Sequence, residues 1–412
     1  MTGEQQHWQA LFSGDLRQAA AGFEALRRDG APVNADAGLF LALAFAGSDA
    51  AAKEILTGRD RNHGDLGLLL WRATWIGASN NLAKALDLID AFLDRTNAPP
   101  FWRAPLYYGR GHIASLAGDR EQAIKYFIEA GQAFQADAGL YLGNEDATLR
   151  SVAFQSMHML TEADMHRLAE EYTAPSVTLD WIDDAIPDTG PDRAPIVVSA
   201  ADPHYLNLYG AAFADSLFRH HPGCRLHLHL ADGTTDDFTR LKQLLPAELH
   251  HRIGFSMAVT DRWPVHKPPV YASARFLAAP ALLERLRQPV LLLDIDATLK
   301  RPLDALFATA TGNDIACWVR PDGGPGGYTA AGAVSFSPGR GEAVAKLTAA
   351  YIDKRLSEEA RHLWFVDQAA LFRACHHMSR NAGDSLHWGD FSPHGAFADY
   401  FDHAPESPDK RR

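Results

Sequence analysis

The stretch that decides the fold is Gln288–Leu306, QPVLLLDIDATLKRPLDAL, in which an apolar run leads directly into two acidic residues. The run Val290–Leu293 contains no polar residue, which is typical of a central strand covered on both faces of a sheet. Alternate side chains of an extended chain point to the same side, so Asp294 and Asp296 are predicted to converge while Ile295 returns to the core. The sequence therefore predicts two solvent-facing carboxylates at the end of a buried strand.

Two carboxylates this close repel one another unless a proton or a divalent cation lies between them. Mg²⁺ is usually held by one or two carboxylates and completes its coordination with substrate phosphate oxygens. A solvated turn at a strand end can carry the same Asp-x-Asp pattern. The apolar strand before the pair and the helix-forming LDALF run after it favour a site, so Asp294 and Asp296 are predicted to bind Mn²⁺ or Mg²⁺.

Composition bounds the remaining possibilities. A chain of 412 residues is long enough for two domains. Its formal net charge of −12, without a long Lys/Arg run, argues against binding to nucleic acid or to a membrane surface. The three cysteines are scattered without metal-ligand spacing, which indicates a reducing compartment. No apolar run reaches the ~18 residues that a membrane span needs. We therefore expect a cytoplasmic protein with no membrane span.

Residues 1–172 show helical periodicity and little strand signal, so they are predicted to form an all-α domain. Asp15, Asp49, Asn81 and Asp119 each precede an Ala-containing helical segment, at separations of 34, 32 and 38 residues. This spacing resembles the second helices of tetratricopeptide-like repeats, whose period is about 34 residues. Stacked helix pairs of this kind make a concave surface, which either binds a polypeptide or glycan partner or braces the second domain.

Residues 173–194 are rich in proline and acidic residues and are predicted to form a linker. From residue 195 to about 405, apolar strand patterns alternate with helical patterns. This alternation predicts an α/β domain with a mainly parallel, Rossmann-like sheet. The Gly-rich segment 323–327 in this domain is predicted to be a mobile flap.

The Asp-x-Asp stretch, placed after about a hundred residues of alternating strand and helix, resembles the metal-binding motif of GT-A nucleotide-sugar glycosyltransferases. The resemblance is greatest to the retaining glycogenin and lipopolysaccharide galactosyltransferase type. It implies a GT-A-like α/β fold, a nucleoside-diphosphate sugar as donor, UDP-sugar in particular, and hexosyl transfer with retention. The acceptor is expected to be a glycan or a protein, presented by the helical domain.

The resemblance also implies a nucleotide site. Asp202, His204 and Tyr205 follow the first strand in SAADPHYLNLY and match an Asp-x-Asn-Tyr segment that contacts base and ribose. His204 stands where Asn is usual, and Asp202 has an ordinary alternative role as a helix cap. Arg275, in YASARFLAAP, matches an arginine that contacts the donor diphosphate or sugar. A surface salt bridge is its alternative role.

Two further segments resemble the same family. Asp367 and Gln368, in HLWFVDQAALF, match the pair that lies beside the anomeric carbon, although Phe372 stands where Asn is usual. An Asp-Gln pair at a helix start is also an ordinary cap. His387, in DSLHWGDFSPHG, matches the third metal ligand, although the Lys-Pro-Trp that normally follows is missing. His394 is the substitute candidate.

Two alternatives remain open at this point. LLLDIDATL also resembles the first motif of haloacid-dehalogenase-type phosphatases, in which Asp294 would be the nucleophile and Asp296 the acid/base. In those phosphatases this strand opens the domain, whereas here several predicted strands precede it. The non-enzymatic alternative is an adaptor built on helical repeats whose second domain has lost activity.

Overall fold

The computed structural model describes most of the chain in eleven segments. They are residues 3–29, 34–48, 50–51, 100–136, 155–171, 177–183, 195–263, 267–320, 329–358, 364–381 and 386–403. The described residues fall into two compact units, one ending at Met159 and the other beginning at Leu160. The predicted Gly-rich flap at 323–327, the predicted helix starts at Asp49 and Asn81, and most of the linker 173–194 lie outside the described residues.

The regular elements described in the first unit are α-helices. They are α1 (Gly3–Ser13), α2 (Leu16–Arg28), α3 (Asn34–Phe45), α4 (Pro100–Leu116) and α5 (Arg120–Ala136). Asp15 caps α2 by accepting a hydrogen bond from the Gln18 amide at 3.1 Å, and Asp119 caps α5 in the same way through the Gln122 amide at 3.1 Å. These caps satisfy amides that a helix start leaves unpaired. The tetratricopeptide-like repeat remains a prediction.

Aromatic side chains contribute to the core of the described part of this unit. Trp8 and Phe23 pack edge to face with ring centroids 4.8 Å apart, and both are buried. On α5, Gly131 lies against the backbone of residues 156 and 157. A Cβ at that position would come within 2.1 Å of the Ser156 carbonyl oxygen, so close approach of these two segments requires glycine.

Ten strands are described in the second unit. They are β1 (Asp180–Asp183), β2 (Ile196–Ala201), β3 (Leu226–Ala231), β4 (Ile253–Ala258), β5 (Val290–Leu293), β6 (Ala297–Leu299), β7 (Ile315–Val319), β8 (Thr329–Phe336), β9 (Trp388–Asp390) and β10 (Phe401–His403). Eight form one sheet in the order β1-β4-β3-β2-β5-β8-β7-β9, and β6 and β10 form a two-stranded ribbon.

The large sheet is mainly parallel, as predicted. Strands β2 to β5 run parallel to one another, and β9 is parallel to β7. Strands β1 and β8 run antiparallel to their neighbours. From β2 the chain builds the sheet outward through β3 and β4 and then returns to β5 on the other side of β2. This arrangement fits the GT-A-like α/β fold predicted from the sequence, and it places a topological switch point between β2 and β5.

Helices cover both faces of the sheet. They are α6 (Glu162–Glu171), α7 (Pro203–His220), α8 (Thr235–Leu244), α9 (Lys267–Leu286), α10 (Asp304–Thr311), α11 (Arg340–Ser357), α12 (Val366–Asn381) and the short α13 (Phe397–Tyr400), with 3₁₀ turns at Ala247–Arg252 and Ser392–His394. Among the helices described here and in the first unit, none is both long enough and apolar enough to cross a membrane.

Strand β5 is buried on both faces, as its apolar run predicts. Val290 and Leu292 join the core under α9 and α11, whereas Leu291 and Leu293 join the core under α7. The side chains alternate between two cores because successive residues of a strand point to opposite faces. This burial fixes the register of β5, and with it the position of the acidic residues that follow.

Helix α6 lies within residues 1–172, which the sequence predicts as the helical domain, but it packs within the second unit against α11 and α12. Part of the predicted linker forms strand β1, at the edge of the large sheet. The boundaries 1–172, 173–194 and 195–405 remain predictions.

Candidate functional site

The candidate site lies at the switch point, where the carboxyl ends of β2 and β5 are adjacent. The Ser199 hydroxyl of β2 donates a hydrogen bond to the Leu293 carbonyl of β5 at 2.9 Å and holds the two strand ends together. Asp202 follows β2, and Asp294 follows β5. Ligands of open α/β sheets bind at such a crevice because the chain diverges to the two sides of it.

Arg275 connects two of the predicted site residues. Its Nη1 lies 2.6 Å from the Asp294 Oδ1, and its Nη2 lies 3.9 Å from the Asp367 Oδ2. The same Nη2 donates a hydrogen bond to the Ala331 carbonyl at 3.1 Å. The guanidinium is buried, so these contacts form away from bulk water, where charge-assisted hydrogen bonds are strong. The structure thus brings Arg275, Asp294 and Asp367 together, although they are far apart in sequence.

Asp367 stands at the start of α12. Its Oδ1 accepts a hydrogen bond from the Gln368 amide at 2.9 Å. Burial raises the pKa of Asp367, the guanidinium of Arg275 lowers it, and the negative charge of Asp294 raises it again, with a net rise. Phe365, two residues earlier, has a φ of 65°. Non-glycine residues rarely adopt this conformation, and strained backbone conformations cluster at functional sites.

The second aspartate of the motif departs from the prediction. Ile295 and Asp296 form a turn between β5 and β6, closed by the Ala297 amide, which donates to the Asp294 carbonyl at 3.2 Å. Asp296 is buried rather than solvent-facing. The extended alternation expected from the sequence is therefore wrong beyond Asp294. The cause is the ribbon of β6 and β10, which requires the chain to turn at once.

The donor atoms at this site suit a hard divalent cation. Carboxylate oxygens are the ligands that Mg²⁺ prefers and that also suit Mn²⁺. Arg275 contacts the Oδ1 of Asp294, whereas the Oδ2 lies beside Gly332, where a Cβ would come within 3.2 Å of it. The same Cβ would come within 3.1 Å of the Phe397 ring, so only a glycine fits here without displacing a neighbour. Among the described residues, no third metal-ligating side chain completes a group with Asp294 and Asp296.

His387, the predicted third metal ligand, lies at the opposite edge of the sheet. It precedes β9, which pairs with β7 beginning at Ile315, and Ile315 is level with Val290 at the amino end of β5. The two aspartates follow the carboxyl end of β5, which is itself about 10 Å farther along the strand direction. His387 instead lies 3.8 Å from Asp314. This prediction is corrected: the register of β9 keeps His387 away from Asp294.

His394 does not join the aspartates either. Its Nε2 makes a 2.9 Å hydrogen bond with the Thr309 hydroxyl on α10, and its carbonyl accepts from Arg301 at 2.7 Å. In the β6–β10 ribbon, the backbone of His403 pairs with Ala297, which immediately follows Asp296.

The predicted nucleotide segment follows β2. Asp202 caps α7 by accepting a hydrogen bond from the Tyr205 amide at 2.9 Å, so the ordinary capping role is present. His204 is exposed, and Tyr205 is half-buried between His204 and Tyr209, with ring centroids 6.0 and 5.3 Å away. Helix α7 therefore starts directly after the carboxyl end of β2, and Asp202 stands at the crevice.

A second cluster at these strand ends was not predicted. Asp232 follows β3 with a φ of 59° and accepts hydrogen bonds from the Thr260 amide at 2.6 Å and from the Tyr271 hydroxyl at 3.1 Å. Lys267 lies 3.2 Å from the same carboxylate. Burial acts to raise the pKa of Asp232, but its bonds with Thr260 and Lys267 lower it overall. Burial, Asp232 and then Asp202 raise the pKa of Tyr271 to about 12.

One face of α9 contacts both clusters, the one around Asp294 and the one around Asp232. Lys267, Tyr271 and Arg275 are spaced four residues apart, so they lie on the same side of the helix. Lys267 and Tyr271 contact Asp232 after β3, and Arg275 contacts Asp294 after β5. The face therefore carries two cations and a phenol across the carboxyl ends of the strands. The spacing was visible in KPPVYASAR, but the aspartates it meets come from distant parts of the chain.

Comparison with known proteins gives only remote similarity. No protein-family model matches the sequence, and no curated protein sequence matches it significantly. Among solved structures, the chain is similar to the WbbM bifunctional glycosyltransferase, with 20% identity over 45% of this chain and 38% of that chain and a TM-score of 0.33. It thus spans well under half the length of WbbM.

Two further solved structures are similar at the same level. They are the galactosyltransferase LgtC in complex with donor and acceptor sugar analogs, with 18% identity over 43% of this chain and 70% of that chain and a TM-score of 0.34, and mouse xyloside xylosyltransferase 1, with 14% identity over 48% and 84% and a TM-score of 0.30. Similarity at this level does not by itself identify a function.

Proposed function

We propose that the protein is a metal-dependent glycosyltransferase that moves a hexose from a nucleoside-diphosphate sugar, UDP-sugar in particular, to a glycan or protein acceptor. The observation that carries the proposal is the meeting of Asp294, Arg275 and Asp367 at the switch point of the sheet. The Asp-x-Asp motif of Asp294 and Asp296 adds the metal-binding chemistry.

The charges at the crevice suit a diphosphate. Arg275 and Lys267 lie on the same face of α9, and each is held by a carboxylate in the structure. Preorganised cations of this kind stabilise negative charge that grows on a leaving group. Bound Mn²⁺ or Mg²⁺, held by Asp294 and Asp296, would supply further charge neutralisation to the departing nucleoside diphosphate. The half-buried Tyr205 ring beside Asp202 suits the base and ribose end of the donor.

Asp367 and Gln368 are proposed to lie beside the sugar. The charge of Asp367 is partly balanced by Arg275, and its carboxylate is held by the Gln368 amide at the helix start. A negative group in a buried position stabilises the positive charge that develops on the sugar ring during transfer. Retention of the anomeric configuration is part of the proposal by resemblance. The helical first unit is proposed to bind the acceptor.

The metal ligands can be tested with matched variants. Asp296→Asn should raise the Mn²⁺ concentration needed for half-maximal donor hydrolysis about tenfold, because it removes one of the two proposed carboxylate ligands. His387→Ala, at the far edge of the sheet, should leave this concentration unchanged. If only the His387 variant changed the Mn²⁺ requirement, the assignment would be reversed.

The activity itself is tested with a donor screen. Thermal shifts and hydrolysis are measured with UDP, GDP and CDP and their sugars, each with and without Mn²⁺. Asp294→Asn should abolish the Mn²⁺-dependent shift, whereas the matched control Asp236→Asn, exposed on α8, should retain it. Hydrolysis of p-nitrophenyl phosphate that is lost in Asp294→Asn would establish a phosphatase instead. Absence of any nucleotide binding would favour the adaptor alternative.

A further inference from the structure

A second group of metal-ligating side chains lies outside the candidate site. Glu162 and His166 are four residues apart on α6, and His377 is on the neighbouring helix α12. One ligand atom from each lies within 4.8 Å of the others. Neither nucleotide binding nor sugar transfer, as proposed above, uses these residues.

The three side chains are arranged almost as ligands would be around a bound metal ion. The Glu162 Oε1 lies 2.6 Å from the His377 Nδ1 and 3.9 Å from the His166 Nε2. The two imidazole rings meet edge to face with centroids 4.7 Å apart. Ligand atoms around a tetrahedral Zn²⁺ with bonds of about 2.0–2.1 Å are about 3.3 Å apart. The two separations from the Glu162 Oε1 lie on either side of that value, and the imidazole nitrogens lie within 4.8 Å of each other, so side-chain rotations would bring all three atoms onto one ion.

We propose that Glu162, His166 and His377 form a binding site for a divalent transition-metal ion, Zn²⁺ above all. Imidazole nitrogens with one carboxylate oxygen are a donor set that suits Zn²⁺ and other borderline ions, whereas Mg²⁺ prefers oxygen alone. The site therefore differs in chemistry from the carboxylate pair at Asp294 and Asp296. Three protein ligands leave a fourth position for water.

A buried arginine orients the carboxylate. Arg373, one turn before His377 on α12, is fully buried, and its Nη2 donates to the Glu162 Oε2 at 2.9 Å. Its Nε donates to the Leu160 carbonyl at 3.1 Å. With Oε2 held in this way, Oε1 faces the two imidazoles. Such outer contacts fix ligand orientation, although the positive charge of Arg373 makes binding weaker than at a cysteine-rich zinc site.

The ion would connect two helices of the second unit. His377 is 97% buried within the packing of α12, whereas His166 is largely exposed on α6. A bond from each to one ion would hold α6 against α12. Helix α12 begins with Val366, Asp367 and Gln368, so the site would steady the element that carries the proposed sugar-binding pair. We expect this metal to stabilise structure rather than to take part in the transfer.

The test uses untagged full-length protein freed of metal by chelation. Zn²⁺ binding is measured by isothermal titration, and the melting temperature is measured with Zn²⁺, Mg²⁺ and no metal. At Zn²⁺ a hundredfold above its Kd, we expect about one ion per chain and a rise in Tm of about 5 °C. Mg²⁺ should give no such rise in the absence of nucleotide. The three cysteines are buried, so they do not compete for Zn²⁺ in the folded protein.

Three variants decide the assignment. His166→Ala should lose the Zn²⁺ effect with little change in metal-free Tm, because this side chain is exposed and lies 3.9 Å from Glu162. His251→Ala, which removes another exposed histidine, should retain the Zn²⁺-dependent rise in Tm. Asp294→Asn should also keep it, so this result is independent of the glycosyltransferase proposal. Equal Zn²⁺ binding by His166→Ala and wild type, or no stoichiometric binding by wild type, would overturn the site.

Discussion

Mild acid should destabilise the second unit through two buried histidines. His227 and His229 lie on the same face of β3, and each contacts the Ser256 hydroxyl of β4, at 2.8 and 3.0 Å. Burial lowers the pKa of His227 to about 3, with a smaller contribution from His229, and burial lowers the pKa of His229 to about 4. Both are therefore neutral in the folded protein at pH values where an unfolded chain already binds protons.

The direction and the size of this loss of stability follow from the difference between the unfolded and folded pKa values of the two histidines. An unfolded histidine has a pKa of about 6.5. The stability that depends on keeping these two histidines neutral is therefore fully present above about pH 6.5. It is lost as the pH falls from 6.5 toward the folded values near 4 and 3. One pH unit below 6.5, each histidine lowers the free energy of unfolding by about 1.4 kcal/mol. At pH 5.5 the two together should cost about 3 kcal/mol relative to neutral pH.

Urea unfolding followed by circular dichroism at pH 7.5, 6.5 and 5.5 measures this loss. Hydrogen exchange of peptides from β3 assigns the transition to the second unit. Replacing His227 by Leu should remove about half of the pH dependence while His229 keeps its bond to Ser256. The exposed His251→Ala variant should retain the full dependence. A His227→Leu protein with the same pH slope as wild type would refute the reasoning.

Four further outcomes are expected. Gly131→Ala should lower the stability of the first unit by about 1–3 kcal/mol in thermal unfolding, because the new Cβ meets the Ser156 carbonyl oxygen; an unchanged Tm would contradict this packing. Gly332→Ala should raise the Mn²⁺ requirement a few-fold, because the new Cβ would come within 3.2 Å of the Asp294 Oδ2 and 3.1 Å of the Phe397 ring; an unchanged requirement would contradict the role of Asp294. Arg275→Lys should lower donor hydrolysis at least tenfold, since an ammonium cannot make the forked contacts; wild-type rates would exclude its role. Titration of Mn²⁺ in the presence of UDP should give at least tenfold tighter binding than Mn²⁺ alone, and equal affinities would show that the two bind independently.

Local pattern was enough to predict the framework of the second unit. The apolar run Val290–Leu293 specified a strand with two covered faces, and its residues enter two separate cores. The alternation of strands and helices likewise specified a mainly parallel sheet. These features depend on neighbours within a few residues, which is the range over which side-chain periodicity carries information.

The predictions that were wrong depend on strand pairing between distant segments of the chain. Whether Asp296 continues an extended chain is decided by β10, about a hundred residues later, because the β6–β10 ribbon forces the turn. The place of His387 is decided by the register of β9 on β7. Sequence order alone gives neither register, and a histidine near a glycine carries no signal about which edge of the sheet it will reach. The contacts of Asp232 with Lys267 were hidden for the same reason.

The charge balance of the crevice explains why donor and metal should bind together. Arg275 contacts both Asp294 and Asp367, so the two carboxylates already have a cation between them. A divalent ion that binds alone would have to compete with the guanidinium for Asp294, and its binding free energy would be small. A diphosphate changes this balance because it offers Arg275 new acceptors. If the guanidinium turned toward phosphate oxygens, the Asp294 Oδ1 would be released for the metal that we propose it binds, and a hard divalent ion held there could also take phosphate oxygens as ligands. Each of the two proposed ligands would then lower the cost of binding the other, which is the reciprocal coupling expected of linked sites.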